Sequence, residues 1–150
     1  VACGINGKMN EFQAALGLVQ LNHVDAAMEQ RALIAENYRV LLKDIEGLRM
    51  HIVDESIYYN NAYFPIFIED SFPISRDELY LLLKSENIHT RRYFYPLISE
   101  FPMYRGLPST GDENLANAKR IAEQVICLPI FPGLEEAIQE HIRGICKSTC

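Results

Sequence analysis

A chain of 150 residues is long enough to bury its own core, and 49% hydrophobic with 23% charged residues is ordinary globular composition. The net charge of −6 and pI near 5.2 argue against nucleic acid as a partner, because such binders present a basic stripe and the Lys and Arg here are scattered. No apolar run approaches the roughly 20 residues of a membrane span, and no signal-peptide pattern opens the chain.

Taken in order, the first element is a helix. Asn10 is a plausible N-cap, followed by Glu11, Phe12, Ala14, Ala15, Leu16, Leu18, Val19 and Leu21. Its Ala14-Ala15-Leu16-Gly17 core is small enough for another backbone to approach. Asp25 reads as the cap of a second, longer helix whose apolar stripe is Ala26, Ala27, Ile34, Tyr38, Leu41, Leu42 and Ile45, with Gly47 as its C′ glycine. Leu48 to Val53 reads as a short strand and Asp54 to Asn61 as a turn region. Ala62 to Ile68 is a β-rich apolar run in which Pro65 predicts an edge strand or a break.

Ser75 and Glu78 form a capping-box pattern that opens a helix running to about Glu86. Ile88 to Tyr93 is a further strand candidate. Phe94 to Asp112 is a long loop holding Pro96, Pro102 and Pro108, and its aromatic content argues against disorder. A helix from Glu113 to Val125, the apolar Ile126 to Pro129, and a last helix from about Glu135 to Cys146 complete the chain. This order predicts an α+β fold with a small, mostly antiparallel sheet covered by helices.

Several chemistries lack their motifs. The sequence has no Gly-x-Gly-x-x-Gly loop, no Walker A loop and no Gly-x-Ser-x-Gly elbow. His23, His51, His89 and His141 stand in no metal-ligand pattern, and Cys3, Cys127, Cys146 and Cys150 include no CxxC pair. Such cysteine usage suits a reduced, cytoplasmic protein.

Two segments invite a functional reading. In Gly4-Ile5-Asn6-Gly7-Lys8-Met9, an amide and an ammonium sit on a glycine-flanked loop before a helix, a pattern suited to an anion, though a plain turn and cap would also explain it. In Thr90-Arg91-Arg92-Tyr93-Phe94-Tyr95-Pro96, two guanidiniums adjoin three aromatics where a strand enters the long loop. Arginine pairs with phosphate and aromatic rings stack on bases or sugars, while a half-buried strand with alternating rings is the plainer alternative.

Together these segments resemble a known family. Gly4-Ile-Asn6-Gly-Lys8-Met9-Asn-Glu11-Phe-Gln13-Ala-Ala-Leu-Gly17 is similar to a signature of the DegT/DnrJ/EryC1/StrS sugar aminotransferases. In the family's order there follow Arg31-Ala-Leu-Ile-Ala35 with Tyr38, the Arg76-Asp-Glu-Leu79 helix start, Ile88 to Leu97, and Ala122 to Gly133. The resemblance implies the C-terminal portion of the aspartate-aminotransferase (fold type I) architecture, with residues 1–25 ending the large domain and forming an interface arm, and 26–150 forming the small domain. It implies a cytoplasmic homodimer, pyridoxal phosphate as cofactor, and a nucleotide-linked keto-sugar and glutamate as substrates. Asn6, with help from Lys8, would bind the cofactor phosphate in the partner subunit; Tyr93, Phe94 and Tyr95, and more weakly Arg91 and Arg92, would line the sugar-nucleotide pocket.

The family's Schiff-base lysine lies in a Ser-x-x-Lys context, and none of Lys8, Lys43, Lys84, Lys119 and Lys147 has Ser three positions earlier. These residues alone are therefore expected to lack the amine on which such chemistry depends. Two readings stand beside this one: a stand-alone interaction or dimerisation domain derived from such an enzyme, and a small-molecule-binding module of ferredoxin-like topology.

Overall fold

The computed structural model describes residues 7–54 and 56–149. The Gly4–Met9 loop therefore falls partly outside the described residues, Asn6 included. Helix α1 spans Glu11–Leu21 and is capped as its sequence predicts: the Gln13 amide donates to Asn10 Oδ1 at 2.9 Å, and the Asn10 amide donates to Gln13 Oε1 at 3.0 Å. It buries no residue. Helix α2, Val24–Leu42, starts one residue before the expected cap; His23 holds the cap position without a side-chain bond, and Asp25 lies in the first turn. There its charge faces the positive end of the helix dipole instead of closing an amide.

The end of α2 also differs from expectation. The helix stops at Leu42, and Gly47 sits beyond it in the turn into β1, with φ of +74°. Ile45 still reaches the core, through that turn. Strand β1 is Leu48–Met50, β2 is Phe64–Ile68 and β3 is Val125–Leu128, all antiparallel in the order β1-β2-β3. Among the described residues this is a three-stranded sheet, not the four strands of a ferredoxin-like βαββαβ unit.

Strand β2 is thus central, although it contains Pro65. The register explains how. Cys127 exchanges both backbone bonds with Arg91, at 3.0 and 2.8 Å, so its polar groups point away from β2 and Pro65↔Cys127 is a non-hydrogen-bonded pair. The Pro65 nitrogen therefore faces the β1 side, where β1 has already ended at Met50, paired with Ile66. No ladder bond is lost, so the proline is tolerated in a central strand.

Phe64, Ile66 and Ile68 point from β2 into the core. They meet α2 (Ile34, Ala35, Tyr38, Leu42), α3 at Arg76–Ser85 (Leu79, Leu83) and α5 at Glu136–Ser148 (Ile142, Ile145). Tyr38 stacks on Phe64 with ring centroids 4.9 Å apart and donates its hydroxyl to the Pro129 carbonyl at 3.1 Å. Helix α3 carries the expected capping box: Ser75 Oγ accepts from the Glu78 amide at 3.3 Å, and the Ser75 amide donates to Glu78 Oε2 at 2.8 Å. Helix α4, Asp112–Gln124, leads directly into β3.

The long loop is more structured than predicted. It contains short 3-10 turns at Ile98–Glu100 and Pro108–Thr110 and a cis Tyr95–Pro96 peptide. The expected strand at Ile88 to Tyr93 reduces to the single bridge between Arg91 and Cys127. No described helix is long and apolar enough to cross a membrane.

Candidate functional site

The Arg91 bridge sets the site. Directly paired residues of an antiparallel ladder share a face, so Pro65, Cys127 and Arg91 lie on one side of the sheet. The alternation carries on to Tyr63 and Tyr93, whose rings meet at 4.9 Å, and Tyr93 stacks on Phe94 at 4.3 Å. The Arg91 guanidinium lies 6.0 Å from both the Tyr63 and Phe94 ring centroids. Arg91 is exposed, and among the described residues no carboxylate pairs with it.

The same alternation sends Arg92 the other way, towards α3. There it lies over Tyr80 at 4.8 Å and over Tyr95 at 5.1 Å, and donates to Asp77 Oδ1 at 3.2 Å. Arg76 completes this second group. It is buried on the first turn of α3, donates from Nη1 to the carbonyls of Ala122 and Val125 at 2.9 and 3.0 Å, and lies over the Tyr95 ring at 4.9 Å. Two adjacent arginines therefore occupy different environments: one an open cation on an aromatic wall, the other fixed by a carboxylate and two rings.

Burial governs the ionisation behind the wall. It pushes the Cys127 thiol up to about 11, against the opposing pull of Arg91. It also raises the Tyr59 phenol, with Tyr93 and Cys127 adding to the shift and Arg39 opposing it. The wall is an aromatic surface with the exposed Arg91 guanidinium beside it. Such a surface stacks on a flat or apolar ring and pairs with an anion beside it.

The five sequence-predicted residues Arg91 to Tyr95 are thus together in space but divided between two groups. Sequence reasoning missed Tyr63, and Arg76, Asp77 and Tyr80 on α3. The alternation of Tyr63 with Pro65 and Phe67 was the available signal for the first; the α3 residues require the docking of that helix. Lys8 is exposed ahead of α1.

The described lysines do not fit a carbonyl cofactor. Lys8, Lys43, Lys84 and Lys147 are exposed, and Lys119 is held by Asp112, whose bond pushes its ammonium up, whereas a Schiff-base amine requires the opposite shift.

Residues 1–147 match the sequence profile of the DegT/DnrJ/EryC1/StrS aminotransferase family. The chain is 50% identical over 137 residues to a dTDP-4-amino-4,6-dideoxy-D-glucose transaminase of Escherichia coli, covering 91% of this chain and 37% of that protein. It is 32% identical over 144 residues to a GDP-perosamine synthase of Vibrio cholerae, covering 95% of this chain and 37% of that one. Among solved structures, DesI, crystallised in the presence of its TDP-sugar product, superposes with a TM-score of 0.87 at 29% identity, over 97% of this chain and 36% of DesI. The chain thus spans little more than a third of the length of these relatives, and its α+β fold is the one DesI carries in the matched stretch. It belongs to the DegT/DnrJ/EryC1/StrS aminotransferase family.

Proposed function

We propose that these residues form the C-terminal part of a pyridoxal-phosphate-dependent aminotransferase acting on a nucleotide-linked keto-sugar in amino-sugar biosynthesis. Its products would serve cell-surface polysaccharide. The observation that carries this reading is the aromatic wall Tyr63–Tyr93–Phe94 with the unpaired Arg91 beside it. It offers stacking for a base or sugar and a guanidinium for phosphate, the two chemistries of a sugar nucleotide. The 50% identity to a transaminase named for a dTDP-sugar supports the same substrate class.

In this reading residues 1–25 end the large domain and form an interface arm, and 26–150 are the small domain. That α1 buries none of its residues while the core is built from Ile34 onward supports the division. Asn6, assisted by Lys8, binds the cofactor phosphate of the partner subunit in a cytoplasmic homodimer. The amino group comes from glutamate, and the Schiff-base lysine comes from outside these 150 residues.

The test uses the full-length protein bearing this sequence. Tyr93→Ala or Tyr95→Ala is expected to raise KM for a dTDP-linked keto-sugar roughly tenfold while KM for glutamate stays within about twofold. Equal effects on both substrates would overturn the site. Asn6→Ala should weaken pyridoxal phosphate retention, and unchanged affinity would remove the phosphate role.

A further inference from the structure

One carboxylate contacts two guanidiniums around the Tyr95 ring, accepting a hydrogen bond from Arg92 and lying within ion-pair distance of Arg76, whose Nε makes no hydrogen bond among the described residues. Asp77 Oδ1 lies 2.8 Å from Arg76 Nε and 3.2 Å from Arg92 Nη1. Both guanidiniums then lie over the Tyr95 ring, at 4.9 and 5.1 Å, and Arg92 also covers Tyr80. Arg76 is immobile: it is 4% exposed and tied to two carbonyls at the junction of α4 and β3. Asp77 is half exposed and Arg92 about a third exposed, so each depends on these contacts for its position: Asp77 on the two guanidiniums, and Arg92 on the carboxylate and the two rings.

We infer that Asp77 is a positioning residue for the sugar-nucleotide pocket. It sets the Arg92 guanidinium against the fixed Arg76, and the two together hold the Tyr95 ring, 46% exposed, at the mouth of the loop that follows. Two like charges confined around one ring would repel without the carboxylate between them. Removing it releases Arg92, the outer of the two, and with it one of the ring's two cationic neighbours. Arg91, on the other face of the sheet, is untouched by this arrangement and remains the anion-pairing group. The two adjacent arginines therefore divide the work: Arg91 meets the ligand, and Arg92 orients Tyr95. This rests on the reading of Tyr93 to Tyr95 as substrate contacts.

The test is made in the full-length protein by steady-state kinetics. Asp77→Asn should raise KM for a dTDP-linked keto-sugar roughly fivefold, with kcat and the KM for glutamate within about twofold. Asp77→Glu, which keeps the charge, should recover most of that loss, and Arg92→Gln should reproduce the Asp77→Asn phenotype. If Tyr95→Ala raises the sugar-nucleotide KM but Asp77→Asn does not, the substrate reading stands and the positioning role falls. If Tyr95→Ala leaves that KM unchanged, the positioning role falls, while the substrate reading fails only if Tyr93→Ala also leaves it unchanged. An Asp77→Asn protein with both KM values raised and a lowered Tm would assign Asp77 to folding and overturn the inference.

Discussion

Gln139 on α5 donates its amide to the backbone carbonyl of Ile34 on α2 at 2.9 Å, across 105 residues of sequence. Its own oxygen accepts from Asn37 Nδ2 at 2.8 Å. This pair of contacts fixes the two helices that close the core, and it is made by a polar side chain only 2% exposed. A buried amide with both ends satisfied specifies a register that apolar packing alone leaves loose.

Gln139→Ala is therefore expected to lower unfolding stability by about 1–3 kcal/mol, the range for stranding a buried partner. Urea denaturation checks this: the midpoint should fall with an unchanged m value. A shift under about 0.5 kcal/mol, the scale of an ordinary surface change, would show that the amide bridge contributes nothing to the packing of α2 on α5.

Gly47 offers a backbone test. Its φ of +74° is the left-handed region, and a Cβ there would stand 2.6 Å from the Phe72 Cα. Phe72 is itself in the core, so it has little room to yield. Gly47→Ala should destabilise by roughly 2–3 kcal/mol through backbone strain and contact. Thermal unfolding measures it, and a neutral outcome would mean that the turn into β1 rearranges freely.

Cys127 provides a pH dependence with a defined sign. Its folded value is raised from the ordinary 9.0 to about 11, so the folded state favours the protonated thiol. The associated stability is fully present below pH 9.0 and is lost as pH rises through about 11. Compared with wild type, Cys127→Ala should show a shallower loss of stability across that window. Mass spectrometry should likewise find Cys127 slower to alkylate at pH 8 than a free model thiol. Identical alkaline profiles for the two proteins would contradict the burial of this thiol.

These 150 residues without further sequence should develop no lysine-dependent absorption band when mixed with pyridoxal phosphate. Lys8, Lys43, Lys84 and Lys147 are exposed, and the Asp112 bond pushes the Lys119 ammonium up. A band abolished by replacing one of the five lysines would place the missing amine within this chain and overturn its assignment to another segment.

Local signals in the sequence were reliable where the physics is local. The Asn10 N-cap and the Ser75–Glu78 capping box are satisfied within four residues and appear as read, and Gln13 closes the first into a box as well. The cap assigned to Asp25 and the C′ role assigned to Gly47 were not: α2 begins one residue early with His23 at the cap, and it ends at Leu42, before the turn into β1 that Gly47 makes. The strand expected at Ile88 to Tyr93 has one partner, Cys127, and a segment with a single bridge cannot extend a ladder. Nothing within that segment signals how much of it β3 will reach.

The sequence by itself determined the family, through the Gly4–Gly17 signature and the Ile88–Leu97 run, and it determined that none of its lysines stands in a Ser-x-x-Lys context. Only the tertiary structure decided the place of Pro65 in a central strand and the separate surroundings of Arg91 and Arg92. Both follow from register: which neighbour a backbone nitrogen faces, and which side of the sheet a side chain leaves by, depend on pairings between residues more than 35 positions apart.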